Sequence, residues 1–92
     1  MQVQNANDLY KFMSDLREWA VMHSFESIVA AIESAEKTSF TASELIIKYG
    51  EVLRFLKDKR PQTIPAQFRD NWDAAIEVAT KSVQTVEYEE KT

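Results

Sequence analysis

The stretch Phe40 to Leu56, FTASELIIKYGEVLRFL, decides the fold of this chain. It opens with a helix-start pattern. Thr41 is placed to cap the first free backbone N–H groups, and Glu44, three residues on, is placed to reach back to the N–H of the cap. Phe40 and Leu45 stand where a hydrophobic staple closes over such a turn. Beyond the cap, Leu45, Ile46, Tyr49, Val52, Leu53 and Leu56 recur at helical spacing within roughly a 120° arc at 100° per residue. The pattern predicts a core helix over 42–59. Gly50 lies inside it at a cost of about 1 kcal/mol relative to alanine. The stripe continues in phase across Gly50, which marks it as interior, at a place where another helix comes close. Pro61 disfavours helix at Arg60 and ends the element.

Downstream, Pro61 to Ile64 reads as a loop, with Pro65 suited to the first turn of a last helix. Phe68, Trp72, Ala75, Ile76, Ala79, Val83 and Val86 make its stripe and predict helix over about 65–87. Ala75 and Ala79 are small enough for a neighbour to pack closely against the middle. Upstream, Leu9, Phe12, Met13, Leu16 and Ala20 form one stripe. Phe25, Ile28, Val29, Ile32 and Ala35 form another, rotated by roughly 140° at 100° per residue. One long helix burying two faces and two helices broken near His23–Ser24 both fit. The preferred reading is two, about 8–22 and 25–37, with Ser24 capping the second and Asn5 or Asn7 the first. Lys37-Thr38-Ser39 is a short connection of the kind that joins antiparallel helices. Residues 1–7 and 88–92 are expected to fray.

Composition agrees. The 92 residues are enough for one hydrophobic core but not two, so 1–92 is expected to be a single helical domain. One glycine and two prolines are too few for a sheet with tight turns. The fold class expected is all-α, an antiparallel bundle of three or four helices. The absence of cysteine excludes disulfides and thiolate metal sites. No apolar run approaches the ~18 residues that span a membrane, and MQVQNAND lacks both the basic start and the apolar segment of a secretory signal. A cytoplasmic protein away from membranes is the expectation.

The net charge of −4 disfavours nucleic-acid binding. The charge is uneven. Residues 1–39 carry three basic and six acidic groups, as do residues 61–92, whereas 40–60 carry five and three. The basic set of Lys48, Arg54, Lys57, Lys59 and Arg60 is not followed by a recognition helix, because the next helix opens with Asp70 and Asp73.

His23 is the one histidine, so a zinc site of the usual kind is out of reach. The lysine and glycine that follow the histidine of helical phosphotransfer domains are missing here, and His23 reads as a surface or helix-end residue. Gly50 stands alone, so there is no phosphate loop. Two acidic pairs remain, Glu33 with Glu36, and Asp70 with Asp73 and then Glu77. In this spacing the chain loosely resembles the all-α nucleoside triphosphate pyrophosphohydrolases, which place E-x-x-E on one helix and E-x-x-D on another. The second pair departs from that pattern, reading Asp70-x-x-Asp73. The resemblance implies a Mg²⁺-dependent nucleotide pyrophosphohydrolase holding metal through Glu33, Glu36, Asp70, Asp73 and Glu77. Set against it, carboxylates at such intervals are what any solvated helix face displays.

The preferred reading is a small non-catalytic interaction or regulatory protein that needs no cofactor and no metal. Apolar residues off the core stripes motivate it: Trp19, Val21 and Met22 near the first junction, Ile47 and Phe55 on the central helix, and Val78 on the last. Aromatic and methionine side chains are enriched at interfaces. The partner expected is another protein, a second copy in a homodimer, or both. Neither pathway nor partner identity is readable.

Overall fold

The computed structural model describes residues 3–90, with side chains described as far as Lys81. Four α-helices follow one another: α1 (Ala6–Met22), α2 (Glu26–Thr38), α3 (Ala42–Lys59) and α4 (Ala66–Glu90), with a 3₁₀ turn at Pro61–Thr63 between the last two. Neighbours in sequence pack side by side and α4 returns to α1. The result is an up-down-up-down bundle in which α1 lies diagonal to α3, and α2 to α4. Among the described residues α2 and α4 do not touch. No helix among these residues is long and apolar enough to cross a membrane.

Two of the starts use the same chemistry. The Thr41 hydroxyl accepts the Glu44 N–H at 3.1 Å, and the Asn5 side-chain oxygen accepts the Asp8 N–H at 3.0 Å. In each case the acid at the third helical position turns back. Glu44 accepts the N–H of Phe40, and Asp8 that of Gln4, both at 3.0 Å. The acid therefore bonds the residue before the cap rather than the cap itself, a one-residue change from the expected box. The expected staple does not form. Phe40 is 91% exposed, because its N–H is held by Glu44 while its ring points away from Leu45, which packs against the core.

The chain does break after Met22, but Ser24 is not a cap. It has φ of 61° and is the left-handed residue that closes α1. The Phe25 N–H donates to Ala20 O at 2.9 Å and the Ser24 N–H to Val21 O at 3.3 Å, the paired bonds of a Schellman ending. Phe25 takes the N-cap position of α2, with no side-chain cap. Pro65 lies just before α4 rather than in its first turn.

One core runs through the bundle, built from Leu9, Phe12, Met13, Leu16 and Ala20, then Ile28, Ile32 and Ala35, then Ile46, Tyr49, Leu53 and Leu56, and Phe68, Trp72, Ala75 and Ala79. These belong to the expected stripes, of which Val29, Leu45, Val52 and Ile76 are only partly buried against the core and Phe25, expected inside, is 36% exposed because it stands at the turn before α2. Val83 and Val86 lie outside the described side chains. The amino-terminal segment differs from expectation: Val3 is buried in the same core, so the described residues 3–5 are docked and not frayed. At the other end α4 continues to Glu90, past the expected stop at 87. Residues 1–2 and 91–92, also expected to fray, lie outside the described ones. Where α3 meets α4, a Cβ added to Gly50 would lie 2.7 Å from the Ala79 methyl, so the glycine sits at the close approach its phase predicted. The Trp72 indole N–H donates to Leu53 O at 3.0 Å across that same pair of helices.

Candidate functional site

The carboxylates come first. Glu33 and Glu36 are on α2, while Asp70, Asp73 and Glu77 are on α4, so the two groups occupy diagonal helices that do not touch. Four of the five have a cation of the protein beside them. Glu33 pairs with Lys37, Asp73 with Lys57 and Glu77 with Lys81. Glu36 pairs with Arg17 at 3.5 Å and accepts the Tyr49 hydroxyl at 2.7 Å. Burial, and then that bond to the Glu36 carboxylate, push the Tyr49 phenol above its ordinary range. No three of the His, Asp and Glu side chains among the described residues gather closely enough to hold an ion. The helices thus separate the acidic pairs whose spacing resembled a shared ion site, because spacing along a helix carries no information about which helices become neighbours.

The basic set of α3 is largely engaged within the bundle. Lys48 donates to Thr38 O and Oγ1 at the end of α2, Arg54 bonds Thr80, and Lys57 bonds Asp73. These cations join α3 to its two neighbours.

The apolar candidates divide. Trp19 is half-buried, stacked on Phe25 at a 5.1 Å centroid distance and on His23 at 4.6 Å, with its edge toward Phe68. Ile47 and Val78 are also half-buried, Val78 against the core. Phe55 is 53% exposed, but it lies on α3, diagonal to α1, and so apart from Val21 and Met22. At the end of α1, Met22 is 81% exposed and Val21 59%, with Phe25 at 36% just beyond the turn. Three large apolar side chains therefore reach solvent within five residues, above an aromatic cluster that continues through Trp19 and Phe68 to Phe12 and Trp72.

An open groove at this corner is lined by Ser14, Arg17, Glu18, Val21 and Met22, and two more flank it. One, of about 430 Å³, runs between α1 and α4, with Phe12, Trp19, Met22 and Phe68 on its apolar side and Asp15, Glu18, Gln67 and Asn71 on its polar side. The other lies between α1 and α2 and is lined by Val21, Val29, Glu26 and Glu33 among others. Of the three residues that the phase set off the α1 stripe, Val21 and Met22 are exposed, whereas Trp19 packs against the core. Sequence reasoning missed the acidic wall of Asp15 and Glu18, which is visible only once α4 is laid beside α1. Compared with family models, curated proteins and solved structures, the chain matches none.

Proposed function

We propose that this chain is a small, non-catalytic, cytoplasmic interaction module that meets another protein, or a second copy of itself, through the end of α1. The observation that carries the reading is the exposure of Met22, Val21 and Phe25 together, although every stripe residue of α1 is buried in the bundle's own core. Isolated apolar residues on a surface are ordinary, but several gathered at one corner above an aromatic cluster are characteristic of a contact surface. The dispersal of the acidic pairs over diagonal helices bears only on the pyrophosphohydrolase alternative, which needs them around one ion.

The test is photo-crosslinking in the native cell with a photoreactive side chain at position 22, and separately at positions 47 and 55. A discrete adduct from position 22, of any partner or of a doubled chain, is expected, with little from 47 or 55. No adduct at 22, or a stronger one at 55, would overturn the assignment of the surface.

A further inference from the structure

We infer that the occupant of the α1–α4 groove is a basic amphipathic helix of another protein, an inference that rests on the interaction reading above. Phe12, Asp15, Trp19 and Met22 line the groove from one helix, and ten residues separate the first from the last. At 1.5 Å per residue that is about 15 Å, the length of nearly three helical turns, running parallel to the bundle axis. An amphipathic helix fills such a groove with apolar residues repeated at three- and four-residue intervals. Met22 at the mouth and Trp19 and Phe68 below it supply the apolar side against which those residues pack.

Charge then selects the partner. Every ionisable group lining this groove is a carboxylate, Asp15 or Glu18, and beyond the turn Glu26 adds a third. Among the described residues none of these three has a cation in salt-bridge range. Arg17, the cation next to them in sequence, pairs with Glu36 on α2 and lines the adjoining groove together with Glu18, Val21 and Met22. A partner helix with lysine or arginine beside its apolar stripe supplies the missing charge. A second copy docked groove to groove, with the two-fold axis passing beside Asp15 and Glu18, would set these carboxylates against their own mates, and like charges facing each other oppose association. Lys48, Arg54 and Lys57 of such a copy are already bonded within its own bundle, which leaves its exposed Lys11, Lys59 and Arg60, and displacement of a dimer by the basic peptide separates the two occupants.

The experiment uses three synthetic helical peptides titrated into the full chain by calorimetry. Two carry leucine at the same three positions along one face, with lysine elsewhere in one and glutamate in the other. The third has the lysine composition with its leucines scattered around the helix. The basic amphipathic peptide is expected to bind, and the other two at least about tenfold more weakly. Its affinity should fall as the screening length shortens from about 30 Å at 0.01 M salt to about 10 Å at 0.1 M. Reversing Asp15→Lys and Glu18→Lys together should weaken it about tenfold further, in a protein whose melting temperature is little changed. Met22→Ser should also weaken it about tenfold, by removing an apolar contact. Equal binding of the acidic peptide, no binding of the basic one, or indifference to the double reversal would overturn the inference. So would a protein dimer, seen by sedimentation, that the basic peptide fails to displace. An adduct at position 22 alongside any of these results leaves the contact surface standing and removes only the basic helix, whereas loss of the adduct removes both.

Discussion

Replacing Gly50 with alanine sets two effects of opposite sign against each other. Helix propensity alone favours the change by about 1 kcal/mol, since glycine in a helix interior is the less stable residue. The structure reverses the sign. The new methyl would stand 2.7 Å from the Ala79 Cβ, whereas carbon atoms rest at about 3.5–4.0 Å. Relief requires α3 and α4 to part by roughly 1 Å at their crossing, because the other atom is a short side chain on a helix with no rotamer to yield. Parting them strains the Trp72 to Leu53 hydrogen bond and the contacts of Leu53 and Ala75, which are fully buried. Overpacking of this kind costs about 1–3 kcal/mol. The net expectation for Gly50→Ala is a loss of about 0–2 kcal/mol, read as a lower urea midpoint with unchanged slope. Adding Ala79→Gly removes the clash, so the double variant should exceed the sum of the single effects by about 1–3 kcal/mol in a double-mutant cycle. A Gly50→Ala protein more stable than wild type by about 1 kcal/mol, with no coupling to position 79, would refute the close approach and the packing built on it.

Two further perturbations test other parts of the structure. Ser24 has φ of 61°, which costs a side-chain-bearing residue about 1–2 kcal/mol, so Ser24→Gly should gain about 0.5–1 kcal/mol in denaturant melts after the added entropy of the unfolded chain is subtracted; a loss would mean that the serine side chain supports the turn. The Tyr49 phenol is raised in the folded state, so its contribution is complete below its unfolded value of about 10 and is lost as pH climbs through the folded one. Tyr49→Phe should therefore cost about 1 kcal/mol at neutral pH and progressively less above about pH 10, and a deficit independent of pH would count against the Glu36 hydrogen bond as its source.

The stripes were legible because burial in a bundle repeats with the helical period, and each apolar residue on α1 or α3 had several in-phase neighbours to confirm it. Gly50 was legible for the same reason: the phase on both sides of it agreed. What could not be read was anything depending on which helices become neighbours. Glu33 and Asp73 had the right types and intervals for a shared ion, yet the winding of the bundle sets α2 and α4 on its diagonal. Val3 escaped notice because one buried residue has no period. Phe40 misled because a staple needs the ring to turn inward, and the Glu44 carboxylate fixes only the backbone beside it.

The rotation of the apolar phase near residue 22 is where local structure bears on the proposed surface. Two phases in one segment fitted either one long helix burying two faces or two helices broken near His23–Ser24, and the structure has the break. The left-handed residue at Ser24 lets the chain reverse, so that Ile28 and Ile32 enter the same core as Leu16 and Ala20. That reversal accounts for the second stripe without any partner. It does not account for Val21 and Met22, which belong to neither stripe and stand exposed beside it. The Schellman bonds use backbone groups of Ala20, Val21, Ser24 and Phe25 but none of the apolar side chains at the end of α1. Polar residues at 21 and 22 would close the helix equally well, so the capping geometry does not explain their apolar character, and that remainder is what the crosslinking and peptide experiments address.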